Sequence, residues 1–304
     1  MSTTELELAG RRVRLTNLER VLWPATGFTK GDMVSYYLRA APWILPHLAG
    51  RPLTLWRFPE GVDGPSWWQN ECRGSPPWLA TAVVRGQRFC LVDDSPSLAW
   101  VANLGTVELH PFLARADAPE TPTALAFDLD PGPPAGLLEA VEVALRVREA
   151  LAQHGLASYP KTSGGTGIHV FAPLEGPSRF AETKAFARSL ARELAAERQE
   201  LVTDRSRRAV RVGRVLVDWL QNDATRSTAA PYSLRATAVP SVSTPLAWDE
   251  LAAALAAGRP ELLRFGPAAV LDRLMRLGDL FAPVLAGGQA LPPATTDGTA
   301  GRRY

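Results

Sequence analysis

The stretch FDLDPG, residues 127–132, ends an apolar run that begins with ALAF, residues 124–127. Because side chains alternate across a β-strand, Asp128 and Asp130 are expected on one face, and the leucine between them on the other. Two carboxylates this close must be neutralised, either by a shared proton or by a cation. The stretch therefore predicts a strand with one apolar face and one strongly charged face.

A third aspartate ends a second apolar run, in RVLVDWL, residues 214–220. If this run is also a strand, Asp218 joins Asp128 and Asp130 as a strand-borne carboxylate. Magnesium and manganese prefer such hard oxygen ligands. Three carboxylates could hold two divalent ions about 4 Å apart, the arrangement that in-line phosphoryl transfer uses.

The D-x-D pattern alone leaves other interpretations open. Asp130 precedes Pro131, and because Asp-Pro often opens a turn, the pair could be an exposed strand end. The pattern also occurs in glycosyltransferases and in haloacid-dehalogenase-type phosphatases. Those phosphatases need Thr or Val two residues after the second aspartate. Here that residue is Gly132, which counts against a phosphatase with Asp128 as nucleophile.

A glycine-rich turn lies between two strand-like segments in YPKTSGGTGIHVFAPL, residues 159–174. Successive backbone N–H groups in such a turn can cradle phosphate oxygens, and Lys161 and His169 beside it could add charge or donors. It is not a Walker A loop, because no G-x-x-x-x-G-K-[ST] occurs. A plain hairpin and a structural histidine remain the alternatives. The residues of the turn are Ser163, Gly164, Gly165, Thr166 and Gly167.

Composition indicates an ordinary globular protein, with 304 residues of which 46% are hydrophobic and 21% charged. No apolar run reaches the length of a membrane span, and the N-terminus lacks a signal-peptide core, so we expect a cytoplasmic protein without membrane association. Cys72 and Cys90 form no C-x-x-C pair, so we expect both to be reduced and to bind no structural zinc.

Basic residues are concentrated in two segments, although the net charge is only +2. Such clusters fit either a solvated face or a surface for an anionic partner. The clustered residues are Arg11, Arg12, Arg14 and Arg20, followed by Arg205, Arg207, Arg208, Arg211 and Arg214.

Hydrophobic periodicity predicts an α+β chain with one continuous catalytic unit. Thr29 is the predicted N-cap of the first helix, with Asp32 completing a capping box, and Pro42 and Pro46 leave the end of that helix undefined. The tail, residues 286–304, is predicted to be disordered. The predicted strands are 5–15 (a strand or hairpin), 52–58, 87–93, 124–130, 157–161, 167–172 and 214–220. The other predicted helices are 136–153, 179–198, 247–257 and 266–281.

Eight segments together resemble the polymerase domain of bacterial ATP-dependent DNA ligase D, one of the archaeo-eukaryotic primase-like polymerases that serve in non-homologous end joining. The resemblance covers about residues 8–285. It implies a primase-polymerase fold over residues 1–285, with an RRM-like catalytic module and a second small α/β part forming one cleft. The segments are NLERVLWP (17–24), FTKGDMVSYY (28–37), WWQNE (67–71), NLGTVELHPF (103–112), FDLDPG (127–132), KTSGGTGIHV (161–170), VLVDWLQN (215–222) and APYSLR (230–235).

The resemblance implies roles for individual residues. Asp128, Asp130 and Asp218 match catalytic, metal-binding aspartates. The residues on the nucleotide side are His110 near the sugar, Ser163, His169 and Arg235 on the triphosphate, and Lys161, Gly164, Gly165 and Thr166 around them. The residues on the DNA side are Asn17, Arg20 and Lys30, which match a pocket for a downstream 5′-phosphate, and Trp67 and Trp68, which match an aromatic pair that stacks on bases.

The activity implied by the resemblance is template-directed addition of nucleotides, preferably ribonucleotides, to a primer 3′-OH at DNA gaps or broken ends. It implies two divalent ions, Mn²⁺ or Mg²⁺, and nucleoside triphosphates as substrates. The implied partners are DNA carrying a 5′-phosphate, a Ku-type protein and a DNA ligase, with association to the nucleoid during repair. A non-catalytic DNA-end binding module and the D-x-D phosphatase remain as alternatives.

The chain departs from the family pattern at a few positions. Many relatives have Phe-Phe in place of the tryptophan pair and lysine in place of Arg20, and both changes keep the chemistry. Many have lysine in place of Thr166 and some have arginine in place of Gln221, so we expect a differently tuned nucleotide pocket. No K-x-D-G ligase motif and no His-rich phosphoesterase module occur, so we expect either a stand-alone polymerase or a polymerase domain of a longer ligase. The start of the chain and its irregular tail favour the stand-alone protein.

Overall fold

Residues 2–292 are described by a computed structural model, which contains two five-stranded sheets, three two-stranded sheets and seven α-helices within that range. The strands are β1 (Thr3–Leu8), β2 (Arg11–Thr16), β3 (Val21–Trp23), β4 (Phe28–Thr29), β5 (Leu53–Arg57), β6 (Trp67–Gln69), β7 (Thr81–Val84), β8 (Gln87–Cys90), β9 (Thr106–Pro111), β10 (Ala124–Pro131), β11 (Tyr159–Thr162), β12 (Ile168–Pro173), β13 (Val202–Thr203), β14 (Val215–Asp218), β15 (Leu234–Arg235) and β16 (Ser241–Val242). The α-helices are α1 (Lys30–Leu48), α2 (Ser95–Asn103), α3 (Leu137–Gln153), α4 (Phe180–Glu197), α5 (Arg208–Arg211), α6 (Trp248–Ala257) and α7 (Pro267–Leu277). Three 3₁₀ turns cover Trp219–Gln221, Pro260–Leu263 and Ala282–Val284.

The sheet that contains FDLDPG has the strand order β11-β12-β10-β14-β13. Strand β10 lies in the middle and pairs antiparallel with β12 on one side and β14 on the other. Its residues Leu125, Phe127 and Leu129 are fully buried in one hydrophobic core with the apolar faces of α3 and α4. The predicted alternation is therefore confirmed, and the aspartates project from the face opposite the helices.

The other five-stranded sheet has the order β6-β5-β8-β7, and its fifth strand, β9, also pairs antiparallel with β5. It shares a second core with α1, α2 and α7. Helix α1 begins as predicted, since the Thr29 hydroxyl accepts the Asp32 N–H at 3.1 Å and the Asp32 carboxylate accepts the Thr29 N–H at 2.8 Å. Pro42 and Pro46 do not end α1, because its apolar face, including Ile44, stays buried in this core.

Several elements were not predicted. The segment between the predicted strands 52–58 and 87–93 contains β6 and β7, and the chain after it contains α2 and β9. Strand β9 is buried at all six positions, so it lacks the alternation that identifies a half-exposed strand. The strand predicted over 214–220 ends at Asp218 and continues as a 3₁₀ turn. None of the helices between residues 2 and 292 has the length and apolarity needed to cross a bilayer.

The predicted tail falls mostly outside the described residues, which end at residue 292. Within the described part, Gln289 is tied to the body of the protein. Its side-chain amide donates to the Pro173 carbonyl at 2.9 Å, and its backbone carbonyl accepts the Glu175 N–H at 2.8 Å. Disorder of residues 293–304 stays a prediction.

The prediction of two reduced cysteines is wrong, because Cys72 and Cys90 form a disulfide. Cys72 follows β6, and its N–H donates to the Arg88 carbonyl of β8 at 2.8 Å, which brings the two sulfurs together. The bond is buried with Leu79 in a small apolar cluster. The prediction relied on the absence of a C-x-x-C pair. These two cysteines lie 18 positions apart in the sequence and become neighbours only when the sheet forms.

Removing the disulfide should destabilise the protein. Closing a loop of this size stabilises a fold by about 3 kcal/mol, mainly by restricting the unfolded chain. We expect the Cys72→Ala/Cys90→Ala variant to lose about that free energy of unfolding in urea titrations. Wild-type protein should lose a similar amount when reductant is added, whereas the variant should not respond. A wild-type protein that is indifferent to reductant would contradict the pairing.

Candidate active site

Four polar residues form a row across the face of the sheet that is opposite the helices. Register pairs Lys161 of β11 with His169 of β12, His169 with Asp128 of β10, and Asp128 with Asp218 of β14. Directly paired residues lie on the same face of a sheet. Asp130, two positions along β10, lies beside this row. The sheet thus brings together the three predicted aspartates and both residues that flank the glycine-rich turn.

Contacts along the row fix the state of its histidine. His169 Nε2 lies 3.2 Å from Asp128 Oδ1, and His169 Nδ1 lies 2.8 Å from Lys161 Nζ. Burial and the nearby Lys161 charge lower the pKa of His169 to about 4, so the ring is neutral at neutral pH. Because a carboxylate cannot donate, Nε2 carries the proton and Nδ1 accepts from Lys161.

Lys161 is fully buried, and its ammonium also donates to the Ser243 hydroxyl at 2.6 Å. Burial lowers the pKa of Lys161 well below its usual value. The side chain therefore lies behind His169 and does not line the face of the turn. The role of Lys161 in nucleotide binding stays a prediction, and the contacts of its ammonium described here are with His169 and Ser243.

The three aspartates differ in their surroundings. Burial raises the pKa of Asp128, but contact with His169 and the charges of Arg235 and Lys161 outweigh it, and the net shift is downward. Burial, followed by the charge of Asp128, raises the pKa of Asp130 to about 6. Burial also raises the pKa of Asp218. This concentration of negative charge is costly for the protein alone.

The aspartates fit a hard divalent cation. Asp128 Oδ1 is buried, and its 3.2 Å contact with His169 Nε2 is too poorly aligned for a full hydrogen bond, so this oxygen has no aligned donor among the described residues. Native proteins rarely leave such an atom uncompensated. Asp130 Oδ2 lies 3.6 Å from Arg211 Nη2, and Asp218 Oδ1 accepts the Leu220 N–H at 3.0 Å. Within residues 2–292, no three acidic, histidine or cysteine side chains are already gathered into a metal cluster. Metal binding therefore stays a prediction that the donor set supports.

The glycine-rich turn is held by Ser163. Its hydroxyl accepts the N–H groups of Gly165 and Gly167 at 3.2 and 3.1 Å. Gly164 has φ of +84°, which favours glycine. A Cβ on Gly167 would lie only 2.6 Å from the Leu129 carbonyl oxygen, so glycine is needed where the turn meets β10. Thr166 is exposed beside a cavity of about 480 Å³.

A second group of polar residues comes from the other sheet. His110 Nε2 lies 2.8 Å from Glu108 Oε2 on β9, and Arg235 Nε lies 3.0 Å from the same oxygen. Arg235 also donates from Nη1 to the Ser163 carbonyl at 2.8 Å, which joins this group to the turn. Glu108 was not among the predicted site residues. It lies in the ELHP segment two positions before His110, so strand alternation could have placed both on one face.

The tryptophan pair lies on the edge strand β6, next to this group. Trp67 and Trp68 are 44% and 50% exposed, so both keep surface for a ligand. Trp68 stacks on Trp56 with ring centroids 4.4 Å apart, and its edge meets His110 at 4.8 Å. Arg57 lies over the Trp67 ring at 5.1 Å. Adjacent strand residues face opposite sides, yet both indoles remain accessible because β6 has a free edge.

The three residues predicted to bind a 5′-phosphate meet at the start of α1. The Arg20 carbonyl accepts the Lys30 N–H at 2.8 Å, and the Asn17 carbonyl accepts the Arg20 N–H at 3.1 Å. Lys30 is 6% exposed, and its ammonium donates to the Thr16 carbonyl at 2.7 Å. Burial, aided by Arg20 and Arg57, lowers the pKa of Lys30 to about 8. The cluster therefore holds a lysine that titrates near neutral pH.

Comparison with known proteins assigns the chain to a family. Residues 29–281 match the family described as "LigD, primase-polymerase domain". The multifunctional non-homologous end joining DNA repair protein LigD of Mycobacterium tuberculosis (strain H37Rv) is 38% identical over 283 residues, which are 89% of this chain and 36% of that protein. The chain belongs to the LigD primase-polymerase family. The predicted resemblance is confirmed.

A solved structure agrees with this assignment. The chain is similar to the polymerase domain of Mycobacterium tuberculosis ligase D in complex with DNA, with a TM-score of 0.83 and 37% identity over 91% of this chain and 99% of that one. It is 28% identical to the bifunctional LigD of Bacillus subtilis over 88% of this chain and 43% of that protein. The predicted fold is confirmed, and the chain spans less than half the length of these curated relatives.

The glycine-rich turn offers a direct test of its geometry. We expect Gly167→Ala to lower the free energy of unfolding by about 1–3 kcal/mol, because the new methyl group overpacks against the Leu129 carbonyl. Gly165→Ala is the matched control in the same turn, since its nearest neighbour would be the Ser163 hydroxyl at 3.7 Å. Chemical denaturation measures both. Equal stability of the two variants would show that the turn does not press on β10.

Proposed function

We propose that this protein is a template-directed nucleotidyltransferase that adds nucleotides, preferably ribonucleotides, to a primer 3′-OH at DNA gaps or broken ends. One observation carries the proposal. Asp128 is paired across the sheet with Asp218 on one side and His169 on the other, beside the glycine-rich turn. This arrangement would supply both a carboxylate cluster and a phosphate cradle, which suits a chain of the LigD primase-polymerase family.

Asp128, Asp130 and Asp218 would hold two divalent ions, Mn²⁺ or Mg²⁺. When bound, such ions lower the pKa of an attacking hydroxyl and stabilise a leaving pyrophosphate. The protein contributes orientation. His169 Nε2 faces Asp128 Oδ1, and Lys161 behind it keeps the ring from turning. Mutual repulsion of the aspartates favours cation binding over the empty, ionised cluster.

The triphosphate would lie on the glycine-rich turn. Arg235 is held by an ion pair with Glu108 and by the hydrogen bond from Nη1 to the Ser163 carbonyl, which leaves Nη2 for a phosphate oxygen. Ser163 orients the turn through its two accepted N–H groups. Thr166 at the tip offers a hydroxyl where many relatives have lysine, so the triphosphate is held by less positive charge here. A substrate held in line in this way needs little further ordering.

DNA would be bound on the side of the sheet that contains β5, β6 and β9. The exposed rings of Trp67 and Trp68 suit stacking on bases, worth about 1–3 kcal/mol per base. Asn17, Arg20 and Lys30 form the proposed 5′-phosphate pocket, at the positive N-terminal end of α1. These features fit gapped DNA and broken ends. Non-homologous end joining with a Ku-type protein and a ligase, or gap filling in repair, is the proposed setting.

The proposed reaction is tested by primer extension on a gapped duplex. We expect Asp128→Ala/Asp130→Ala to abolish incorporation, because two of the three carboxylates are lost, while circular dichroism and thermal unfolding stay close to wild type. Asp117→Ala/Asp249→Ala, which removes two exposed aspartates, is the control and should keep full activity.

Three results would contradict either the assigned residues or the assigned reaction. Continued template-directed synthesis by the double variant would remove the aspartates from the mechanism. Tight, salt-sensitive end binding by wild-type protein without incorporation under Mg²⁺ or Mn²⁺ would indicate a DNA-end binding module instead. Release of phosphate from a phosphomonoester without a template would support a phosphatase.

Binding of a 5′-phosphorylated end should weaken as the pH rises from 7 to 9. Lys30, with a pKa of about 8, is mostly charged at pH 7 and mostly neutral at pH 9, whereas the phosphate is a dianion throughout. We expect the preference for phosphorylated over hydroxyl ends to fall roughly tenfold, the value of one charge-assisted hydrogen bond.

Fluorescence anisotropy with the two DNA ends measures this preference. Lys30→Met should show a weak preference that does not change with pH. Lys184→Met is the matched control, because Lys184 is paired with Asp223 at 2.6 Å outside this cluster, and it should keep the wild-type pH dependence. A pH dependence retained in Lys30→Met would assign the titration to another group.

A further inference from the structure

One buried carboxylate connects the two residues that would meet the sugar and the phosphates. Glu108 is 1% exposed. Its Oε1 accepts the Ala236 N–H at 2.9 Å, and its Oε2 lies 2.8 Å from His110 Nε2 and 3.0 Å from Arg235 Nε. Both oxygens are therefore used, and neither is left for substrate. Glu108 can therefore influence a bound nucleotide only by positioning His110 and Arg235.

The charge state of this group follows from its surroundings. Burial alone would raise the pKa of Glu108, but the hydrogen bond with His110 and the charge of Arg235 outweigh it and lower the pKa. Burial lowers the pKa of His110, although Glu108 partly opposes that shift. At neutral pH the site therefore contains an ionised glutamate and a neutral imidazole.

An ionised carboxylate can only accept, so the proton of neutral His110 must lie on Nε2. Nδ1 then carries a free lone pair. It makes no hydrogen bond to any residue between 2 and 292, and it is not sealed from solvent, since the side chain keeps a 9% exposed fraction. The edge of Trp68 packs against the ring and restricts its rotation. His110 thus presents a hydrogen-bond acceptor at a fixed position.

The same carboxylate fixes a cation beside that acceptor. Arg235 forms an ion pair with Glu108, with Nε 3.0 Å from Oε2, and donates a hydrogen bond from Nη1 to the Ser163 carbonyl. These two contacts give its Nη2 donors a defined direction. An acceptor next to a guanidinium is complementary to a hydroxyl group next to an anionic phosphate. A nucleotide carries both on its sugar and its phosphates.

We propose that Glu108 is a positioning residue that holds His110 as an acceptor and Arg235 as a cation, and thereby selects nucleotides that carry a 2′-hydroxyl. This inference rests on the proposed nucleotidyl transfer and deepens it. Glu108 touches no substrate. It acts by keeping the proton of His110 on Nε2, which leaves Nδ1 as an acceptor. A 2′-hydroxyl can donate to Nδ1, whereas a 2′-deoxyribose has no hydroxyl at that carbon.

The test compares kcat/KM for ribo- and deoxyribonucleotides in Glu108→Gln and wild type. The glutamine amide can donate to the ring and permit a proton on Nδ1, so we expect the ribo-to-deoxy ratio to fall about tenfold, the value of one hydrogen bond. A purely structural role would lower both values equally. Glu250→Gln, which removes another carboxylate that holds an arginine, is the control and should keep the wild-type ratio.

Two further measurements test the proposal even if Glu108→Gln folds less well than wild type. In a His110→Ala background, Glu108→Gln should not change the ratio further. In labelled wild-type protein, which has four histidines, nitrogen-15 NMR should show His110 protonated at Nε2 only, with His110→Gln for assignment.

Several results would overturn the proposal. These are a proton on Nδ1, a wild-type ratio near one, or an equal loss for both nucleotides in Glu108→Gln. Failure of wild-type protein to incorporate either nucleotide would instead overturn the proposed transfer reaction. The NMR result would then still decide the state of His110.

Discussion

The site depends on one constraint, the antiparallel pairing of β10 with a strand on each side. That register places Asp128 between His169 and Asp218, so a half-buried carboxylate has a neutral imidazole on one flank and a second carboxylate on the other. Phe127 and Leu129, on the opposite face, lock the register in the helix-covered core. A slip of one residue would exchange these faces and bury the aspartates against leucines. Hydrophobic packing on one face of β10 therefore fixes the positions of the aspartates on the other face.

Arg235 joins the two halves of the cleft. It comes from β15 and contacts Glu108 of the sheet that contains β5 and β9. It also donates to Ser163, in the turn that follows β11 of the sheet that carries the aspartates. Each of those partners is itself held, Glu108 by the Ala236 N–H and Ser163 by the turn. A shift of one sheet against the other would therefore move the guanidinium relative to either His110 or the glycine-rich turn. The geometry of the proposed substrate-binding residues therefore depends on this arginine as much as on the aspartates.

Sequence reasoning found the parts of the site that local rules determine. Alternation placed Asp128 and Asp130 on one face, and the capping box located the start of α1, because both depend only on neighbouring residues. The sequence did not predict β9, because that strand is buried on both faces and shows no alternation. For the same reason Glu108, which lies on β9, was not predicted as a site residue. Sequence reasoning also missed the pairing of Cys72 with Cys90 and the burial of Lys161, since these depend on which strands become neighbours. Long-range register decided what the local patterns left open.

The scarcity of lysine becomes informative once burial is known. Only three of the 33 basic residues are lysines, namely Lys30, Lys161 and Lys184. Two of them are buried: Lys30 in the proposed phosphate pocket and Lys161 next to His169. Arginine has a broad, planar cation that does not readily lose its proton, whereas the ammonium of lysine is compact and its pKa falls on burial. Lys161 fits between His169 and Ser243 because it ends in a single nitrogen atom. In a chain that otherwise uses arginine, we interpret these two lysines as positions where a small and adjustable charge is required.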